Sequence, residues 1–203
     1  VGGDFYDVLE TNGDEFYAVI GDVSGKGMPA ALLMAQALSM FRFVVKPGID
    51  PAQALSRLNE RLCGQTIRGM FITATIARVM PREGCIQMAS AGHCLPIRMT
   101  PGSEPTAFDL PGCPPLGILR EVTPHFVSLS MEPHEWIVLY TDGLLESWDS
   151  EKRELGLDGI RHALAANPAH VRDVVDALDQ GELNHRGSAA PHDDLTVLVF
   201  GLQ

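Results

Sequence analysis

Phe16-Tyr17-Ala18-Val19-Ile20-Gly21-Asp22-Val23-Ser24-Gly25-Lys26-Gly27 decides how the rest of the chain is read. An apolar, aromatic and β-branched run ends in a glycine-rich turn that carries one aspartate and one lysine, and residues 28–46 beyond it read as a helix. Strand, glycine-rich turn, lysine and helix is also the layout of a phosphate-cradling P-loop. That loop needs four residues between its first glycine and the Gly-Lys pair, then a Ser or Thr for magnesium. Here only Asp22, Val23 and Ser24 separate Gly21 from Gly25, and Gly27 stands where the hydroxyl is needed. Asp22 would also face the phosphates. The stretch fails as a nucleotide loop and reads as a strand that delivers a carboxylate to its tip.

Upstream, Asn12-Gly13-Asp14-Glu15 is a hairpin signal that joins strands at 4–9 and 16–23. Downstream, the helix is apolar almost all round, with Leu32, Leu33, Met34, Leu38, Met40, Phe41, Phe43 and Val44. Such a helix is buried on several sides or lies at an interface. A second helix opens at Asp50 as N-cap and Pro51 in the first turn, with Leu55, Leu58 and Leu62 on one face. Strands are predicted at 70–80 and 85–91 around Pro81-Arg82-Glu83-Gly84, with a shorter piece at 97–100 and a loop at 110–117. Segments 122–131 and 135–141 read as a hairpin around Pro133. Helices at 157–166 and 170–178 and a strand at 195–200 complete the chain. Strands that neighbour one another in sequence, with helices in pairs, predict an α+β fold with antiparallel sheets and outer helices, in a single domain over 1–203. Val1 is not an initiating Met and stands inside a strand-like start, so a piece of a longer protein is expected.

The 203 residues hold 26 acidic and 15 basic side chains, a net charge of −11. The absence of a Lys/Arg cluster argues against binding to nucleic acid or an anionic membrane surface. No apolar run is long enough to span a bilayer, the start does not resemble a secretory leader, and a cytoplasmic location is expected. Cations suit the charge balance. Cys63, Cys85, Cys94 and Cys113 form no C-x-x-C pair, which argues for reduced, mostly buried thiols rather than zinc or redox chemistry. Cys63-Gly64-Gln65-Thr66-Ile67-Arg68 is one residue short of a cysteine-based phosphate loop. No G-x-S-x-G elbow occurs, and Tyr140-Thr141-Asp142-Gly143 supplies only one of the two aspartates that a phospho-aspartate mechanism presents.

What remains is a set of carboxylates at strand ends: Asp4, Asp22, Asp142 and the pair Asp193-Asp194. A carboxylate at the tip of an apolar strand is poorly solvated unless something positive meets it. Several brought together repel one another unless a cation compensates. Oxygen-only donors select Mg²⁺ or Mn²⁺ over zinc, and two such ions can activate a water for in-line attack on phosphorus. Each aspartate taken singly reads better as the residue that ends a strand and caps a turn. Spacing alone does not bring the four together.

Five motifs then stand in order: Gly2-Gly3-Asp4-Phe5-Tyr6-Asp7, Gly21-Asp22-Val23-Ser24-Gly25-Lys26-Gly27, Ala91-Gly92-His93, Tyr140-Thr141-Asp142-Gly143 and Asp193-Asp194-Leu195-Thr196-Val197. Together they resemble the metal-dependent protein phosphatases (PPM), in the bacterial SpoIIE/RsbU-type branch, from Val1 to the last strand. The resemblance implies a β-sandwich of two antiparallel sheets flanked by helices. It implies two Mn²⁺ or Mg²⁺ ions held by Asp4, Asp22, the Val23 carbonyl, Asp142 and Asp193, with Asp194 in support. Asp22 bridges both ions and orients the attacking water. The implied substrate is a phosphoserine or phosphothreonine protein, in this branch often an anti-sigma-factor antagonist. The implied setting is the C-terminal output domain of a longer signalling protein, dimerising through residues 28–62. Ser24 departs from eukaryotic relatives, which carry a His at that position as general acid; the Arg with which they hold the phosphate lies upstream of where this sequence starts.

Other residues read more plainly. Asp7 is structural, lying three residues from Asp4 on a strand. Lys26 is read as solvated or paired with a carboxylate rather than as a phosphate holder. His93 is read as a hydrogen-bonded turn residue and His192 as a surface residue. Glu146, one turn past Asp142, is a weaker candidate for a metal-held water. Two rivals stand beside the phosphatase: a catalytically silent module of the same fold that binds a partner, and a metal-dependent nuclease or phosphodiesterase, which the acidic balance disfavours.

Overall fold

Phe5–Thr11 (β1) and Glu15–Val23 (β2) ladder antiparallel, Phe5 opposite Gly21 and Thr11 opposite Glu15. The structure, a computed structural model, describes residues 2–11, 14–63, 69–166, 168 and 170–202. The Asn12-Gly13 turn and the run 64–68 after Cys63 lie outside the described residues. The further strands are β3 (Ile72–Met80), β4 (Cys85–Ala91), β5 (Ile97–Met99), β6 (Thr106–Ala107), β7 (Val127–Ser130), β8 (Trp136–Tyr140) and β9 (Val197–Gly201). The helices are α1 (Met28–Val44), α2 (Pro51–Leu62), α3 (Asp142–Leu145), α4 (Gly156–Leu164) and α5 (Val171–Arg186). Among the described residues these strands form two antiparallel sheets with helices packed on them, the expected α+β class.

Two compact units divide the chain, and each is made of two stretches of sequence. The first comprises Val1–His93 with Leu110–Ser130 and contains the sheet β1-β2-β3-β4-β7. α1 packs on β1 and β2, and α2 packs on β3 and β4. The α2 start is as expected: the Asp50 carboxylate accepts from the Gln53 N–H at 2.8 Å, and Pro51 follows in the first turn. α1 resolves its all-round apolar sequence into two faces. Ala30, Leu33, Ala37, Phe41 and Val44 enter the core, while Met28, Leu32 and Phe43 are 67%, 65% and 59% exposed.

The second unit comprises Cys94–Asp109 with Met131–Gln203 and contains the sheet β6-β5-β8-β9, with α5 packed on β9 and α4 on α5. α5 runs eight residues past the predicted end at 178. Its last turns are polar but linked at helical spacing, Gln180 to Asn184 at 2.9 Å and Arg186 to Glu182 at 2.6 Å. Gly181 lets the helix approach α4, since a Cβ there would stand 2.6 Å from the Ala163 methyl.

The predicted hairpin of 122–131 and 135–141 does not form. β7 pairs with β4, Val127 opposite Met88, whereas β8 lies between β5 and β9 in the other sheet. Burial gives the reason. β7 alternates half-buried and exposed residues, as an edge strand does, while all five residues of β8 are buried, as in a central strand. Between them Glu135, only 3% exposed, gathers Arg98 at 2.6 Å, the Thr100 hydroxyl at 2.7 Å and the Glu132 N–H at 2.9 Å. No helix among the described residues is long and apolar enough to cross a membrane.

Candidate functional site

In the first unit the candidate residues collect at one end of β2. Asp22 stands opposite Thr73 and Val23 opposite Ile72. The Val23 N–H donates to the Gly3 carbonyl at 3.2 Å, which brings the segment preceding β1 beside them. Gly3 is glycine for a steric reason: a Cβ there would run into the Val23 carbonyl oxygen and stand 2.7 Å from Asp22 Oδ1. The sequence neighbour of Gly3 is Asp4. Asp4, Asp22 and the Val23 carbonyl are therefore gathered at this edge.

Ser24 clasps the same edge. Its N–H donates to the Phe71 carbonyl at 2.9 Å, and its hydroxyl accepts from the Phe71 N–H at 2.8 Å. That oxygen fixes backbone, which suits a poor acid. Thr73 Oγ1 and His93 Nδ1 share a hydrogen bond of 2.9 Å, and the His93 N–H donates to Ser90 Oγ at 3.3 Å. His93 is thus a hydrogen-bonded turn residue, as read. Asp7 accepts both Nε and Nη2 of Arg42, at 2.6 and 2.9 Å, a structural role for a residue on the strand.

The second unit gathers its own acidic edge where β8 ends. Thr141 N donates to the Thr196 carbonyl at 3.1 Å, and Thr196 N donates to Thr141 Oγ1 at 3.0 Å. This clamp sets Asp142, the first residue of α3, beside the segment of Asp193 and Asp194. Gly143 presses there so closely that a Cβ would collide with the Asp194 carbonyl. Leu195 and Thr196 separate the aspartate pair from β9, so the pair sits in the approach to the strand rather than directly against it.

Glu146, one turn along, senses the accumulated charge. Partial desolvation and the carboxylates of Asp142, Glu154 and Asp193 push its carboxyl above the ordinary range, while His192 pulls it back. His192 is exposed and lies with its ring 3.9 Å from that of Trp148. Thr141 and Thr196 stand in the quoted motifs without a role of their own, and Trp148 drew no notice in the sequence. Thr141 was legible in principle, as the residue between an apolar strand and an Asp-Gly pair.

Among the described residues no group of three or more His, Cys, Asp or Glu side chains stands close enough together to hold a metal ion. What each unit shows is a strand-end edge with oxygen donors drawn together, without nitrogen or sulfur partners in the expected ligand set. The Gly3 cradle and the raised Glu146 both record crowded oxygen and negative charge. That donor chemistry fits a hard divalent cation and does not fit zinc.

Comparison with known proteins agrees with the fold. The family model described as Stage II sporulation protein E (SpoIIE) matches residues 12–203. Phosphoserine phosphatase RsbU of Bacillus subtilis is 27% identical over 208 residues, covering 98% of this chain and 58% of that protein. The SiaA-PP2C domain of Pseudomonas aeruginosa superposes with a TM-score of 0.87 at 20% identity, over 100% of this chain and 80% of that one. RsbX in complex with magnesium gives 0.75 at 18% identity, over 100% and 88%. At these identities the structural likeness shows the fold, that of PP2C-type phosphatase domains. The chain spans 34% to 58% of the length of the curated relatives it matches. With a family model that matches residues 12–203, the chain belongs to the SpoIIE family.

Proposed function

We propose that this chain is a serine/threonine protein phosphatase domain dependent on two Mn²⁺ or Mg²⁺ ions. The observation that carries the reading is the close set of Gly3, Asp22 Oδ1 and the Val23 carbonyl. Nothing in sheet packing requires a carboxylate and a carbonyl oxygen to be crowded against a glycine at a strand tip. Asp4, Asp22, the Val23 carbonyl, Asp142 and Asp193 are assigned as the ions' ligands. When bound, the ions supply Lewis-acid activation of a water and neutralise phosphate charge. Asp22 orients that water. The Ser24 hydroxyl, committed to Phe71, positions the turn and carries no proton to the leaving group.

The named relatives support the choice of substrate class. RsbU is named as a phosphoserine phosphatase, which supports a phosphoseryl or phosphothreonyl protein here, such as an anti-sigma-factor antagonist. Magnesium bound to RsbX supports the choice of hard ion. We assign the domain to the output end of a longer cytoplasmic signalling protein, in keeping with the share of its relatives that it spans. The exposed Met28 and Leu32 on α1 support a homodimer through residues 28–62.

Hydrolysis of an aryl phosphate should require added Mn²⁺ or Mg²⁺. Asp22→Asn should abolish it with the thermal midpoint retained. Full activity in excess chelator would refute the reading, and calorimetry showing no uptake of Mn²⁺ would favour the silent, partner-binding alternative. For the dimer, Leu32→Glu should shift sedimentation to the monomer.

A further inference from the structure

α2 turns Leu55, Leu58 and Leu62 into the core of the first unit, and on the same helix it buries Asn59 completely. A buried amide is costly unless its polar atoms find partners, and those of Asn59 do. Nδ2 donates to the carbonyls of Leu119 at 2.9 Å and Arg120 at 3.2 Å. Oδ1 accepts from the Gly117 N–H at 2.9 Å and, more weakly, from Cys63 Sγ at 3.6 Å. Every bond that leaves the helix goes to one short segment, 117–120. Cys63, one turn further on, adds a contact from its sulfur to the Leu119 carbonyl at 3.1 Å.

That segment is fastened in turn to the edge that carries Asp22. Leu116 and Ile72 exchange both backbone hydrogen bonds, at 2.8 and 3.0 Å. Ile72 stands opposite Val23 in the ladder, and Phe71 exchanges bonds with Ser24. Gly92, at φ 67°, takes Pro115 against its bare Cα: a Cβ there would be 2.7 Å from the proline ring. Leu116, Ile72 and Val23 are at most 1% exposed, so water does not interrupt the sequence of contacts.

We infer that Asn59 is a positioning residue, which holds segment 116–120 at a fixed height and thereby sets the backbone at Asp22-Val23. Its consequence for catalysis rests on the assignment of Asp22 and Val23 as metal ligands under the proposed function. A position that served only to fill the core would be better served by leucine, which carries no desolvation cost. Two donors and an acceptor aimed at the backbone of Gly117, Leu119 and Arg120 are what fixing that segment requires.

Asn59→Leu keeps volume and removes every bond, Asn59→Ala removes both, and Leu58→Ala supplies a core lesion on the same helix without the loop contacts. On the metal-free protein, Asn59→Leu should speed amide hydrogen exchange at Gly117, Leu116, Ile72 and Ser24 while the melt stays cooperative. It should weaken Mn²⁺ binding about tenfold by calorimetry, the low end for loss of an outer support of a metal site, and lower kcat with KM unchanged. Leu58→Ala should lower the melting temperature and leave Mn²⁺ affinity alone. In the wild type, saturating Mn²⁺ should slow exchange at Gly117 and Leu116, the reciprocal of the same coupling; that arm needs no variant to fold. Unaltered exchange at these four amides in Asn59→Leu overturns the inference. A wild type that takes up no Mn²⁺ overturns the metal assignment instead, and the exchange arm still decides whether Asn59 positions the edge.

Discussion

Glu135 keeps its charge inside the protein although burial works against it. The Arg98 hydrogen bond, the Glu132 N–H, the Thr100 hydroxyl and the Arg98 charge outweigh that penalty and hold the carboxyl below its ordinary 4.5. Glu15 repeats the pattern, with burial opposed by the Gly48 N–H, Arg78 and Thr11. Both folded values lie below the unfolded ones, so in acid the unfolded chain binds more protons. The stability from these pairs is full above the ordinary glutamate value and is lost as pH falls through the folded values. Urea midpoints should hold from about pH 7 to about pH 5 and drop below roughly pH 4.5, and Glu135→Gln should remove part of that drop. Removing Arg98 instead strands the buried carboxylate and should cost on the order of 3 kcal/mol at neutral pH. Gly143 is constrained by steric contact. An alanine methyl would collide with the Asp194 carbonyl, so Gly143→Ala should destabilise by about 1–3 kcal/mol in urea titrations and depress activity with it; an unchanged midpoint would contradict the contact. Asp22 and Asp142 were legible as carboxylates at the tips of apolar strands. Asn59 was not, because nothing local distinguishes a buried asparagine from one in solvent.

Elements whose limits are written in punctuation were readable from sequence. β4 runs from Cys85 to Ala91, as predicted, because Gly84 and Gly92 bound it with positive φ on both sides. α2 declared itself through Asp50 and Pro51. Sheet membership is different, since pairing is a long-range property: β7 and β8 are separated by five residues yet choose partners in different sheets. The hidden end of α5 has a local cause. Residues 179–186 are, Leu183 apart, polar with a glycine among them, which ordinarily ends a helix pattern, and only contact with α4 explains Gly181. Elsewhere, replacing glycine by alanine inside a helix stabilises by about 1 kcal/mol. At position 181 the methyl would stand 2.6 Å from Ala163, so Gly181→Ala should reverse that sign in thermal melts.

Across the whole molecule, an excess of 11 negative charges makes the folded state a receptor for cations before any chemistry is considered. A ligand that binds only the folded chain raises its stability with the logarithm of concentration. Mn²⁺ should therefore lift the thermal midpoint progressively, and Asp22→Asn should abolish most of that rise. A uniform rise in both proteins would point to screening alone. Charge balance and motif order were legible at this scale, whereas the gathering of oxygens against Gly3 and Gly143 was not, because it depends on backbone approach.

The chain passes from one compact unit to the other after His93, returns after Asp109 and leaves again after Ser130. No single scission can therefore release either unit whole. A fragment beginning at Met131 would inherit β8 without β5, baring one side of Trp136–Tyr140, five buried residues, as a raw edge open to aggregation. Recombination between relatives meets the same bar: a crossover between residues 94 and 130 mixes parental sequence in both units at once, and none leaves both units purely parental.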